Sequence, residues 1–171
     1  MTPPATKRLI LMRHAKSNWE DPGVADEDRT LNPRGLRGAR DLGTWLGSRG
    51  YLPDEVLCST ANRTRQTWDG IAASLPAGAT LRLVPALYQA EADTILGVLR
   101  QATSPVVLLI GHNPGISEVA HRLPAQPPLH PGFEHYPTGA TLVLDLDIRT
   151  WSDLADGNGQ VMDFITPRDL E

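Results

Sequence analysis

Leu9-Ile10-Leu11-Met12-Arg13-His14-Ala15-Lys16-Ser17 decides how this chain is read. Four apolar residues run directly into an arginine and a histidine. An unbroken apolar run is the pattern of a strand covered on both faces, which predicts a first strand over residues 7–12. The pattern recurs where Val106-Val107-Leu108-Leu109-Ile110 leads into Gly111-His112-Asn113-Pro114-Gly115. In an open parallel sheet, ligands sit outside the carboxyl ends of the strands. Two such strands, each delivering a histidine, would bring both imidazoles to one crevice. An arginine beside one of them points to an anion. Phosphate suits best, because a guanidinium fork grips its oxygens in pairs.

Between and beyond these strands the elements alternate. The polar stretch 18–31 reads as a loop. Asn32-Pro33 reads as an N-cap followed by proline at the first helical position. That helix should run to about residue 48, with Leu36, Ala39, Leu42, Gly43 and Leu46 inward and Gly50 as its stop. Arg34, Arg37 and Arg40 then form a solvated face, and Trp45 packs inward. Glu55-Val56-Leu57-Cys58 is a short strand, and Ser59 or Thr60 can cap a helix over 61–74. Residues 81–84 suggest a brief edge strand, 92–101 a helix, 106–110 a buried strand and 115–123 a short helix. Residues 124–137 are rich in proline and read as a loop, a candidate flap over the crevice. Residues 141–147 alternate with a period of two and read as a strand near an edge. Residues 160–165 can pair with it antiparallel. The βαβα order predicts an α/β fold: three layers, with a mostly parallel central sheet and an antiparallel edge.

The 171 residues suit one domain spanning 1–171, with residues 1–6 a loose terminus. The net charge of −4 argues against a general nucleic-acid or anionic-membrane binder, so a phosphate site must be a local basic pocket. One cysteine, Cys58, excludes an internal disulfide and suits a reducing compartment. No signal-type apolar region follows the start and no run is long enough to span a bilayer, so the expected location is cytoplasmic.

His14 is the first chemical candidate. Neutral imidazole is a good nucleophile toward phosphorus. A lone histidine in such a place is more often a core group bonded to main chain; beside Arg13, at a strand end, the reactive role is favoured. Arg63 follows, in the strand-to-helix turn Ser59-Thr60-Ala61-Asn62-Arg63-Thr64-Arg65-Gln66-Thr67. Helix N-termini attract anions, and Arg65 points elsewhere round the helix. A surface salt bridge is the alternative for Arg63. His112 is placed to donate a hydrogen bond to a phosphoryl oxygen.

Taken in this order, Arg13-His14, the Ser-Thr-Ala-x-Arg-Thr-x-Gln-Thr turn and Gly-His-Asn-Pro resemble the histidine phosphatase (phosphoglycerate-mutase-like) superfamily. The short length, Arg-His-Ala-Lys-Ser and Leu31-Asn32-Pro33-Arg34-Gly35 resemble SixA-type phosphohistidine phosphatases most. The resemblance runs from about Arg8 to about Pro167. It implies a phosphoglycerate-mutase-like fold and a two-step hydrolysis through a phosphohistidine on His14. Arg13, Arg63 and His112 would bind the non-bridging oxygens. Ser17 and the Thr138-Gly139 backbone would touch the same phosphate. Neither a metal nor another cofactor is implied; the partner is a phosphate-bearing substrate, a phosphohistidine-containing protein first among them. A small-molecule phosphomonoesterase and a non-catalytic phospho-binding module are the alternatives. His130, Glu134 and His135 lie close in sequence but lack metal-ligand spacing.

Mutase-like relatives carry Arg-His-Gly-Glu and, after the serine, an asparagine. Here Ala15, Lys16 and Glu20 stand at those positions, which argues against phosphoglycerate as substrate. Glu91 and Asp93 are the candidate proton donors, or else plain N-terminal charges on the next helix. An enzyme without an acid suits an N-phosphorylated substrate, because a departing imidazole can take its proton on the other nitrogen. Trp19 beside the first motif either walls the pocket or packs in the ordinary way.

Overall fold

The structure, a computed structural model, describes residues 6–19 and 21–171. Residues 1–5 of the expected loose terminus, and Glu20, lie outside the described residues. Six strands form one sheet: β1 (Lys7–Arg13), β2 (Glu55–Cys58), β3 (Thr80–Leu83), β4 (Val106–Gly111), β5 (Thr141–Leu146) and β6 (Gly159–Ile165). Their order is β3-β2-β4-β1-β5-β6. β3, β2, β4 and β1 run parallel, β5 is antiparallel to β1, and β6 is antiparallel to β5. The mostly parallel α/β sheet with an antiparallel edge is therefore as expected. Four helices cover it: α1 (Pro33–Arg49), α2 (Asn62–Ala72), α3 (Ala92–Leu99) and α4 (Gly115–Arg122).

The period of two in β1 explains the three layers. Ile10 and Met12 pack with Leu42 and Leu46 of α1 and Ile71 of α2 on one face. Leu9 and Leu11 pack with Leu96 and Leu99 of α3 and Ile116 and Val119 of α4 on the other. β1 and β4 are buried on both faces, hence their unbroken apolar sequence. β3 is the exposed edge strand, and β5 lies one strand inside the opposite edge. Among the described residues, no helix is long and apolar enough to cross a membrane.

α1 begins as expected: the Asn32 side chain accepts from the Gly35 N–H at 2.8 Å and Pro33 opens the helix. Gly35 is there for close approach. A β-carbon would stand 2.0 Å from the Lys16 carbonyl oxygen. Gly35→Ala is expected to cost about 1–3 kcal/mol, read as a lower urea midpoint; an unchanged midpoint would contradict this contact.

Two local expectations need correction. Leu36 is exposed, at 42%, because it lies on the flank of the α1 stripe that Ala39, Leu42 and Leu46 centre. Neither Ser59 nor Thr60 caps α2: its N-cap is Ala61, without a side-chain bond. The Ser59 hydroxyl is drawn to His112 and the Thr60 hydroxyl donates to Glu27. Residues 124–137 are irregular, as expected of a loop; within them Phe133 and Tyr136 are buried, and the Tyr136 hydroxyl donates to the Leu11 carbonyl at 2.5 Å.

Candidate active site

Sheet register explains why residues far apart in sequence meet. Arg13 is paired with Gly111 across β1 and β4, so the next residues, His14 and His112, leave the sheet side by side. The His14 N–H donates to the Gly111 carbonyl at 3.1 Å. The two rings lie 5.3 Å apart, centroid to centroid. β2 is the neighbour on the far side of β4 and delivers Ser59, whose hydroxyl meets His112 Nε2 at 2.7 Å. Both histidines and Arg63 are buried.

His14 is held in one tautomer. Its Nδ1 lies 2.7 Å from the Ala15 carbonyl oxygen. A carbonyl can only accept, so Nδ1 carries the proton and Nε2 keeps its lone pair. The Ala15 N–H in turn donates to Thr67 Oγ1 at 2.9 Å, and that hydroxyl donates to the Arg63 carbonyl at 2.7 Å. The His14 loop is thereby tied to the first turns of α2, where Arg63 sits. Burial, then the charges of His112, Arg13 and Arg63, push the His14 pKa down to about 3, against the opposing hydrogen bond to Ala15. Burial and Arg63, with Arg13 and Arg29 behind them, push His112 down to about 4, although Asp26 opposes this. Both imidazoles are therefore neutral at pH 7.

Arg13 donates from Nη1 to the Tyr136 carbonyl at 3.2 Å. The Asn113 amide donates to the same oxygen at 3.0 Å. Tyr136 adopts a left-handed backbone, φ 49°, uncommon for a bulky residue. Arg63 donates to the Asp26 carbonyl at 2.7 Å and to Asp26 Oδ2 at 3.0 Å. The Nε atoms of both arginines are buried and have no partner, and so is Nδ1 of His112. Unpaired buried donors are costly, and here three unsatisfied ring or guanidinium nitrogens belong to residues around a single crevice.

The remaining expected residues have other places. Ser17 is buried, but its hydroxyl accepts from Arg29 Nη1 at 2.9 Å. The Gly139 N–H is spent on the carbonyls of Arg13 and His14, at 3.1 and 2.9 Å. It fixes their backbone and has no hydrogen left for a ligand. Thr138 lies with Lys16 on the wall of a separate cavity of about 730 Å³, between α1 and residues 130–138. Asp93 is corrected as a proton donor: it is 88% exposed and pairs with Arg122 at 2.9 Å on the surface. Glu91 is exposed at the N-cap of α3. His130 pairs with Asp169 at 2.8 Å, Glu134 and His135 are exposed, and no metal-ligating cluster occurs among the described residues.

Sequence reasoning missed Asp26, Arg29 and Tyr88. A short 3-10 turn, Asp26–Asp28, presents Asp26 to Arg63, while Arg29 brackets Asp26 Oδ1 through Nε and Nη2 at 3.2 and 2.9 Å. The Tyr88 hydroxyl donates to Asp26 Oδ2, and its ring stands edge-on to His112 at 5.5 Å. Arg29 is covered by Trp19, whose ring lies 3.5 Å from the guanidinium carbon. Trp19 thus caps an arginine from outside and remains 76% exposed, rather than walling the pocket or packing in a core. Burial of Asp26 works against its charge, but hydrogen bonds from Tyr88, Arg29 and Arg63 hold its carboxyl well below the usual range. Three guanidiniums and one carboxylate around two neutral imidazoles leave two positive charges in excess, a match for a phosphoryl dianion.

Comparison with known proteins accords with this geometry. The histidine phosphatase superfamily (branch 1) pattern matches residues 9–97. The chain belongs to the histidine phosphatase superfamily. Within it, the fold is of the SixA type. A candidate phosphohistidine phosphatase SixA from Nakamurella multipartitia superposes with a TM-score of 0.81 at 33% identity, covering 97% of this chain and 99% of that one. An uncharacterized protein of Mycobacterium tuberculosis is 35% identical over 164 residues, which is 92% of this chain and 100% of its own. The protein histidine phosphatase SixA complexed with tungstate shares the fold, with a TM-score of 0.77 at 22% identity over 96% of this chain and 99% of that one.

Proposed function

We propose that this protein is a phosphohistidine phosphatase that works through a phosphoenzyme on His14. The observation that carries the proposal is the single tautomer of His14. Its Nδ1–H is committed to Ala15, which leaves an unprotonated Nε2 in a pocket with the buried Arg63 and the half-buried Arg13, each with an unpartnered Nε. In the first step Nε2 forms a bond to phosphorus as the bond to the leaving group breaks. Arg13 and Arg63 stabilise the phosphoryl oxygens, and His112 donates to one of them through a protonated ring nitrogen. In the second step water attacks the phosphoryl group, the N–P bond returns its electron pair to Nε2, and phosphate leaves.

Substrate class follows from the proton balance. A departing alkoxide needs a proton, and general acid catalysis is worth about 10² to 10⁴ in rate. Asp26 is the carboxylate that touches Arg63, and it is held ionised, so it has no proton to give. Asp93 is engaged on the surface. An imidazole protonated on its distal nitrogen leaves as a neutral molecule and needs no acid. Phosphohistidine, carried by a protein, is therefore the favoured substrate over a small phosphate ester. Retention of a poised nucleophile favours an enzyme over a module that only binds phosphate.

The test is a pair of peptides identical but for phosphohistidine or phosphoserine. The expected kcat/KM is at least about 100-fold higher for phosphohistidine. Equal turnover of the two peptides would overturn the substrate assignment, and absence of turnover of either would overturn the enzyme.

A further inference from the structure

We propose that Asp26 is a positioning residue for phosphoryl transfer: it occupies the terminal edge of the Arg63 guanidinium and so turns the other edge toward the phosphoryl oxygens. The proposal rests on reading the pocket as a phosphoryl site. A guanidinium presents five N–H groups in one plane. They can be used in pairs along the terminal edge, Nη1 with Nη2, or along the side edge, Nε with the second hydrogen of Nη2. Arg63 Nη1 donates to the Asp26 main-chain carbonyl and Nη2 to its Oδ2, so the terminal edge is taken. Nε has no protein partner, which leaves the side edge as the pair still in want of an acceptor. Arg63 itself is 3% exposed, so its donors answer to protein groups and the pocket and not to bulk water.

The same carboxylate is held at both of its oxygens. Oδ1 accepts both Nε and Nη2 of Arg29, and Oδ2 accepts the Tyr88 hydroxyl and the Gln89 amide, the latter at 3.0 Å. The third nitrogen of Arg29, Nη1, reaches the Ser17 hydroxyl. One carboxylate therefore locks together three segments: the loop that follows His14, the start of α2, and the stretch ahead of α3. An asparagine offers a single acceptor oxygen and no charge, so it cannot replace this arrangement.

Two physical effects of removing Asp26 have opposite signs, which makes the test sharp. Loss of its charge raises the positive excess in the pocket and favours binding of a dianion. Loss of its geometry frees Arg63 to turn its terminal edge inward and misplaces the donors in the transition state. Positioning predicts that Asp26→Asn lowers kcat for the phosphohistidine peptide at least about tenfold, while KM stays level or falls. In an Arg63→Ala background the same substitution should change kcat by less than about twofold, because its target is gone. Unchanged or raised kcat overturns the proposal and would make Asp26 a competing anion. An equally large loss without Arg63 also overturns it.

A measurement on the unsubstituted protein covers failure of the variant to fold. Titration with inorganic phosphate should shift the Arg63 Nε–H resonance and leave the Asp26 carboxylate carbon in place. Displacement of the carboxylate signal overturns the proposal. This readout needs no turnover: a protein that binds phosphate in this way yet forms no phosphoenzyme would sink the catalytic reading and leave the role of Asp26 standing.

Discussion

His14→Ala is expected to abolish turnover and every trace of phosphorylated protein. Nε2 of His14 is the nucleophile in the proposed mechanism, and no other free imidazole nitrogen is held at the end of β1. Removing a nucleophile that works as part of a unit costs on the order of 10³ to 10⁶ in kcat. His112→Ala removes only a donor to the phosphoryl group, and its expected cost is about 10² to 10³. The two variants should also differ in kind. His112→Ala should still become labelled from a phosphohistidine peptide, slowly, with a bond that resists base and breaks in acid. His14→Ala should take no label. Label retained in His14→Ala would place the covalent step elsewhere.

Acid should destabilise the folded protein well before its carboxylates titrate. His14 and His112 have folded pKa values of about 3 and about 4, below the 6.5 of a free histidine. Between these limits the unfolded chain binds protons that the folded chain excludes, so stability rises with pH. The stability these groups contribute is fully present above 6.5 and is lost as pH falls from there toward 3. From pH 7 to pH 5, each buried histidine should cost roughly 2 kcal/mol, a large share of a typical domain's stability. Urea midpoints at the two pH values measure this directly. A variant with both histidines replaced by glutamine should show a flatter profile; an equally steep one would assign the acid sensitivity to other groups. His14 itself stays unprotonated through this range, so the nucleophile outlasts the conditions that favour the fold.

The strands that matter were legible because burial on both faces leaves a run such as 106–110 with no polar residue. The histidines that end β1 and β4 stand at the point where each run stops, so their meeting required only a parallel sheet. The strand order was not legible. No residue of β1 states that β4, and not β2, will be its neighbour, and yet that adjacency sets the distance between the two rings. Asp26 and Arg29 were hidden for a different reason. They sit in an acidic, polar loop, and polar residues in loops are ordinarily solvated; their three-residue spacing fits one 3-10 turn but is common by chance. Tyr88 stands in the short stretch ahead of α3, where no neighbouring residue marks it for the crevice. Gly139 and Thr138 misled in the opposite sense. A glycine beside a pocket suggests a backbone open to a ligand, and here the N–H is consumed in holding Arg13 and His14.

The stacking of Trp19 on Arg29 makes the pocket optically visible. The other three tryptophans, Trp45, Trp68 and Trp151, are buried. A water-soluble quencher such as iodide will therefore extinguish the emission of Trp19 selectively. Because its indole rests on the arginine that reaches Ser17 and Asp26, any anion that rearranges those groups will alter that signal. The chain carries its own fluorophore on the outer face of Arg29, one residue removed from the candidate site, and ligand occupancy can be followed without a dye.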